Sequence, residues 1–422
     1  MNFVNVAWGD KISIMKKKIA YWALYDFANS FVQMAYLFYF SQWLVIDQGK
    51  PAWWYNLALI LSSILFFLTA PYIGKVIDTS KKKIVGLRTW TALSFIGFII
   101  LALLMMLTNG QEILATTLFI FSTYAYLVSF LYYTPILNDL STRENCSWVS
   151  GIGFGANSIG QVLGILLTIP FVSGITLFGD PGRAQALLPA TILFGLLSIP
   201  MVFLYREEKV VIEVVENQDR PTVLSLFKSV FSHKSLAFIL IAYFLFSDSL
   251  LTFANNFPLY LETVFKATDT TKSLLTAGIL ILSAFGALIL GKVSDKIGNV
   301  KILKIIIVIW CLLLFSMAAT TNFGAAIPIF LFAGILFGPI FSISRSLVGQ
   351  LSPENLRATS YSYLVLAERF ATFIGPAVWS TVLIVVGETV NGYRSSVFSL
   401  GVLLLISLLA LNRIKEPVRG NI

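Results

Sequence analysis

The sequence predicts an all-α membrane protein: twelve transmembrane helices in two pseudo-symmetric six-helix halves, with both termini in the cytosol. Three observations predict it. Hydrophobic residues make up 57% of the 422-residue chain and charged residues only 12%, against roughly 45–50% and about 25% in soluble domains. Apolar runs of about 20 residues, long enough to cross the hydrocarbon, recur along the whole length. One polar pattern is carried twice at a constant offset: Asp26, Ser30 and Gln33 in the first run, then Asp248, Thr252 and Asn255 in the seventh.

The runs fall at 19–46, 54–77, 84–107, 112–137, 148–172, 186–205, 236–261, 272–292, 302–321, 324–348, 358–386 and 394–412. An even number puts both termini on one side. Of the 30 Lys and Arg, only Lys50, Arg183, Lys266, Lys272 and Arg394 fall in outer segments, with Arg369 inside a run. The rest flank the cytosolic ends, as the positive-inside rule requires. Five domains follow: a cytosolic segment 1–18, an N-terminal bundle 19–205, a linker 206–235, a C-terminal bundle 236–412 and a cytosolic tail 413–422. Lys16, Lys17 and Lys18 start like a signal peptide, but the run behind them is too long and contains Asp26, so it reads as a retained span. In the linker, Leu224, Phe227 and Phe231 beside Lys228 and Lys234 suit a short helix lying on the inner leaflet. The third, sixth, ninth and twelfth runs are almost uniformly apolar and suit lipid-facing helices. The first, fourth, fifth, seventh, tenth and eleventh carry the polar and glycine residues and suit helices facing one another or a cavity.

Composition also excludes. A net charge of +9 would suggest nucleic acid only if the basic residues shared a folded face; here they sit between apolar runs and set topology. Cys146 and Cys311 offer neither a disulfide framework nor metal spacing, and His233 is the single histidine. No metal and no cofactor are expected. No nucleophile–base pair is visible, so the chain does not read as an enzyme.

The chemistry sits in the polar residues of the runs. In YWALYDFANSFVQMAY (21–36), Asp26, Ser30 and Gln33 fall at i, i+4 and i+7, one face of a helix, with Asn29 close by. A carboxylate on a spanning helix is expensive and faces a bundle interior or a wet cavity. Asp248 lies near the middle of its run. Burial favours the protonated acid and a nearby cation favours the ionised form, so a carboxylate exchanging those surroundings couples proton movement to conformational change. Glu368 and Arg369 are adjacent, about 100° apart on a helix, so each needs a partner on another helix, with Asp248 or Asp26 the candidate for Arg369. Arginine also forks onto a substrate carboxylate or phosphate. Tyr25, Tyr36, Tyr132 and Tyr133 suit either a cavity lining or core packing. Gly151, Gly155, Gly160 and Gly164 in the fifth run, and Gly375 before Pro376, suit close helix approach.

GKVIDTSKKK from Gly74 and GKVSDKIGNVK from Gly291 share Gly, Lys, Val and Asp in register. They resemble the gating-loop motif of the major facilitator superfamily, a glycine with an aspartate four residues later and basic residues beyond. In that family the loop stabilises the outward-open state, and the resemblance implies that role for Gly74, Asp78, Gly291 and Asp295. WALYDFANS (22–30), SRSLVGQLSPENLRATSYSYL (344–364) and FATFIGP (370–376) look like the vacuole-effluxer-like permease branch (autophagy-related amino-acid permeases), whose fungal members are associated with amino-acid export from the vacuole. Two positions depart from that pattern: Arg369, where the branch has lysine, and Glu368 beside it.

The resemblance implies two six-helix halves about a central cavity, with substrate between the first, fourth, seventh, tenth and eleventh spans. The expected function is secondary active transport, by alternating access and with proton coupling, of a small polar or zwitterionic, amino-acid-like solute. The expected partners are that solute, protons and membrane lipids, and the chain is expected to act as a monomer. A lipid or amphipathic drug exporter of the same fold is one alternative; a non-transporting membrane sensor or scaffold is another. The compact chain, without large lumenal insertions, points to a bacterial cytoplasmic (inner) membrane.

Overall fold

A computed structural model describes residues 2–80, 83–108, 110–141, 146–207, 230–353, 360–361, 363–364, 367–368 and 373–414. Its longer helices are α1 (Asn2–Gln42), α2 (Ala52–Ser80), α3 (Lys83–Leu107), α4 (Glu112–Tyr133), α5 (Cys146–Leu166), α6 (Leu187–Ile199), α7 (Lys234–Phe265), α8 (Asp269–Ile297), α9 (Asn299–Ala319), α10 (Phe323–Leu351), α11 (Ile374–Val386) and α12 (Val390–Leu411). Among the described residues, ten helical segments are long and apolar enough to cross a membrane. α1 is not one of them: Asp26, Asn29, Gln33 and its tyrosines dilute its apolar character. α11 is apolar but short.

Ends and irregularities follow local chemistry. Thr268, Asn322 and Thr389 cap α8, α10 and α12, each side-chain oxygen accepting a first-turn amide; such a cap contributes about 1 kcal/mol. α1 runs on into a π-helical turn, Trp43–Asp47. Pro200, which has no amide hydrogen to continue the ladder, opens a π turn to Leu204 after α6. The sequence places the first span at 19–46, whereas α1 starts at Asn2, so the basic segment is continuous with it. The fifth run breaks after Leu166 and resumes as a short helix, Ile169–Ser173. Between α7 and α8, the fully buried ammonium of Lys272 pairs with Glu262 and with Asp269 at 2.7 Å.

Two compact units divide the chain: Met1–Lys50 with Leu61–Lys209, and Pro51–Ile60 with Val210–Ile422. In the first, α1 packs on α5 and α6, and α3 on α4 and α6; in the second, α7 packs on α11 and α12, and α9 on α10 and α12. The neighbour pattern repeats six helices on. Each unit builds its core from aromatic and aliphatic side chains, with Tyr25, Phe31, Tyr36 and Tyr39 buried in one and Tyr243, Tyr260, Trp379 and Tyr393 in the other.

Exposure does not follow the expected rule of one lipid-facing helix in three. α8 is the least covered span, with 17% of its apolar window buried against 67% for α7. Leu274, Ile281, Phe285, Leu288 and Ile289 stand open on α8, because α10 covers it along one side through close glycine contacts. Most of the 206–235 linker, including the expected surface helix up to Ser229, lies outside the described residues.

Candidate functional site

In the first unit the site begins with two glycines. A Cβ at Gly160 or Gly164 would run into the carbonyls of Phe27 and Phe31, so α5 lies directly against the α1 backbone. That approach brings Asn157 and Gln161, one turn apart, onto the Asp26 face. Asn157 Nδ2 donates to Asp26 Oδ1 at 3.1 Å and to Ser30 Oγ at 2.5 Å. Gln161 Nε2 donates to Asn157 Oδ1 at 2.8 Å. A turn further along α1, the Tyr126 hydroxyl donates to Gln33 Oε1. Asp26 is 9% exposed, and Gln33, Asn157 and Gln161 are half-buried. Beside Asp26, Trp22 stacks on Tyr133 with centroids 5.0 Å apart, and the Tyr133 hydroxyl donates to the Trp22 carbonyl at 3.0 Å.

The tyrosines considered for a cavity lining are core instead. Tyr25, Tyr36, Tyr132 and Tyr133 are all buried. Tyr25 bonds Thr91 Oγ1 at 2.6 Å and Tyr36 donates to the Phe98 carbonyl at 2.6 Å, tying α1 to α3. Asn29 also turns from the Asp26 face, its amide donating to the Tyr25 carbonyl at 2.9 Å. At Gly155 an added Cβ would meet nothing, so that glycine does not serve helix contact.

In the second unit, fully buried Asp248 is bound to backbone. Its Oδ2 accepts the Gly375 amide at 2.5 Å and its Oδ1 the Phe373 amide at 3.2 Å. The carboxylate therefore caps the first turn of α11 from another helix, where unpaired amides and the helix dipole favour negative charge. Gly375 permits the approach: a Cβ there would lie 2.8 Å from the Asp248 carbonyl and strike Thr252 Oγ1. Thr252 is buried against it. Arg369, the expected partner, lies outside the described residues.

A second charged group sits nearer the α7 N-terminus. The Tyr243 hydroxyl donates to Glu368 Oε2 at 2.9 Å, and Arg345 Nη2 donates to the same oxygen at 3.2 Å. Arg345, on α10, was not singled out in the sequence, because its position in the last turns of the tenth run reads as a topology signal.

The repeated amide is also shifted by one residue. Asn255 is half-buried, while its neighbour Asn256 is fully buried and exchanges hydrogen bonds with Asn56 at 3.0 and 3.1 Å. Four residues before Asn56, the Ala52 amide donates to Glu388 Oε1 at 2.7 Å. Burial raises the Glu388 carboxyl above its ordinary value, while the amides of Ala52 and Trp53 pull it back. The fold thus holds that proton more tightly than the unfolded chain does. Its contribution is fully present in acid and is lost as pH rises through the raised value. Glu388→Gln keeps an acceptor and removes the titration. Melting curves from pH 4 to 8 should therefore show the variant gaining on wild type as pH rises; a constant difference would refute the reading.

Gly74 and Gly291 lie in the last turns of α2 and α8, so the gating motifs ride on helix ends rather than free loops, and a Cβ at either glycine would meet nothing. The side chains of Asp78 and Asp295 lie outside the described ones. Among the described residues no cluster of three metal-ligating side chains occurs.

An all-helical chain with many membrane-crossing helices and polar clusters inside its spans defines an integral, multi-pass membrane protein of the transporter class. Residues 147–376 and 239–421 match the Major Facilitator Superfamily model, together more than half of the chain, which belongs to that superfamily. An uncharacterized protein from Aquifex aeolicus is 20% identical over 83% of this chain and 85% of its own. Autophagy-related protein 22-2 of Aspergillus niger is 26% identical over 40% of this chain, but the match spans only 30% of the fungal protein. Among solved structures, a bacterial homologue of the human lysosomal transporter Spinster, inward-facing and unoccupied, superposes with TM-score 0.77 at 12% identity, covering 95% of this chain and 97% of that one. The nucleoside transporter NupG gives 0.69 at 14% identity, covering 94% and 98%. At these identities the likeness is one of fold. The chain is a transporter rather than an enzyme.

Proposed function

We propose that this transporter moves a small polar or zwitterionic, amino-acid-like solute by alternating access, with proton coupling through Glu368. One observation carries the reading: the Arg345 and Glu368 side chains are 41% and 29% exposed, with Glu368 well within the eleventh apolar run and Arg345 in the last turn of the tenth. Charged groups at that depth are rarely left to lipid and usually line a water-filled path. The half-buried amides around Asp26 extend the same argument to the first unit. Asp248, closed off from solvent and bonded to α11, is the positioning residue of the second unit. Twelve spans, cytosolic termini and a monomer complete the proposal. A cytoplasmic membrane of a bacterium suits the Aquifex relative, which matches most of the chain, better than the fungal one, which matches part.

Purified protein in liposomes should accumulate a labelled solute from a panel of amino acids, short peptides, nucleosides and lipids only when a proton gradient is imposed, and a polar member should be the one moved. Selective movement of the lipids would replace the proposal with a lipid carrier. No movement of any member, with the protein correctly inserted, would favour a sensor.

A further inference from the structure

We infer that Thr252 is a second acceptor for the start of α11, a positioning residue that takes over the Gly375 amide when Asp248 gives it up. Asp248 and Thr252 stand one turn apart on one face of α7. Gly375 lies against both: a Cβ there would sit 2.8 Å from the Asp248 carbonyl and strike Thr252 Oγ1. In this structure the Gly375 amide donates to Asp248 Oδ2 at 2.5 Å. Thr252 is fully buried, yet its hydroxyl has no hydrogen-bond partner among the described residues. A buried polar group without a partner is rare and needs a reason.

That hydroxyl forgoes an easy partner. Thr69, Thr191, Thr276 and Thr381, each inside a helix, donate to the carbonyl four residues back, a common use of a helical threonine. For Thr252 that carbonyl belongs to Asp248, and Oγ1 is turned to Gly375 instead. The start of α11 supplies the donor that would fit there. Pro376 has no amide hydrogen, and the Ala377 amide is already on the Phe373 carbonyl at 3.3 Å. Gly375 therefore carries the last amide of the first turn that has no partner within the helix. Without a side chain, Gly375 can turn that amide from one oxygen to the other and meet no clash. Asp248 holds it in one position of α11 and Thr252 in the other, two discrete seats of the kind between which packed helices shift. The part this plays in a transport cycle rests on the alternating-access reading; the exchange of partners does not.

Thr252→Val keeps the shape and removes the hydroxyl, and its effect should change sign with residue 248. In the otherwise unchanged chain it removes an orphan, so the melting temperature of the purified full-length protein should rise by about 2 °C or more. In Asp248→Asn the new side chain turns a donor towards α11, the hydroxyl becomes the acceptor in use, and the same substitution should lower the melting temperature. A shift of one sign in both backgrounds overturns the inference. Amide hydrogen exchange at the start of α11, followed by mass spectrometry with Asp248 intact, decides it even where Asp248→Asn folds poorly. Thr252→Val should speed that exchange about fivefold, the worth of one hydrogen bond, despite its higher melting temperature. Thr252→Ser, which keeps the hydroxyl, should exchange like wild type. Unchanged or slower exchange in Thr252→Val overturns the inference, because a merely orphaned hydroxyl predicts that result. In liposomes, Thr252→Val should slow uptake of the solute that wild type accumulates from the panel above, and Thr252→Ser should restore it. No uptake by any of the three proteins would sink the transport reading and leave the melting and exchange results to decide this inference alone.

Discussion

Asp248→Ala will destabilise the second unit more than any other single change at the sites described. The substitution strips the acceptor from two amides of the α11 start, those of Phe373 and Gly375. The buried Gly375 amide left without an acceptor costs about 1–3 kcal/mol and the part-buried Phe373 amide less, together a sizeable share of a domain's net stability. Asp248→Asn keeps one acceptor oxygen but turns an NH2 group towards the other amide, so it should fall between alanine and wild type. Melting of detergent-purified protein, with size-exclusion elution as a check on folding, gives the order. A dedicated proton carrier predicts otherwise: the asparagine variant melts like wild type and loses only uphill transport. Equal melting of all three proteins would show that the cap does not hold α11.

The same residue marks how far the sequence could be read. Membrane class, helix periodicity and the internal repeat were legible because each is written in residue type and spacing along the chain. That Asp26 and Asp248 need polar partners was legible too, since a carboxylate in an apolar run needs one wherever it falls. Their partners were not. Asn157 and Gln161 reach Asp26 because Gly160 and Gly164 let α5 press on α1; four-residue spacing announces a close contact without saying which helix meets it. Arg345 looks like any basic residue near a cytosolic helix end until Glu368 and Tyr243 converge on it. Asn255 fitted the repeat, but Asn256 is the amide that finds Asn56. Adjacent helical residues point about 100° apart, so pattern matching chose between them on register alone, while packing chose on facing.

Glu368→Gln should uncouple the transporter without unfolding it. Arg345 and Tyr243 both donate to Glu368 Oε2, so the carboxylate holds a guanidinium and a phenol together across α7 and α10. Protonation cancels the charge that Arg345 pairs with and loosens that hold, and glutamine imitates the protonated state permanently. Uphill accumulation driven by a proton gradient should therefore fall to the equilibrium level, while downhill counterflow of the same solute continues. Arg345→Lys keeps the charge but gives up the planar fork, so it should weaken accumulation while sparing exchange. A structural ion pair leads elsewhere: removing either partner strands the other and lowers expression, and the double neutral replacement, Glu368→Gln with Arg345→Gln, restores both expression and transport. Uptake, counterflow and expression measured together on these variants separate the two cases. Full uphill accumulation by Glu368→Gln would remove Glu368 from coupling, and with Asp248 committed to α11 it would leave Asp26 as the remaining intramembrane carboxylate to examine.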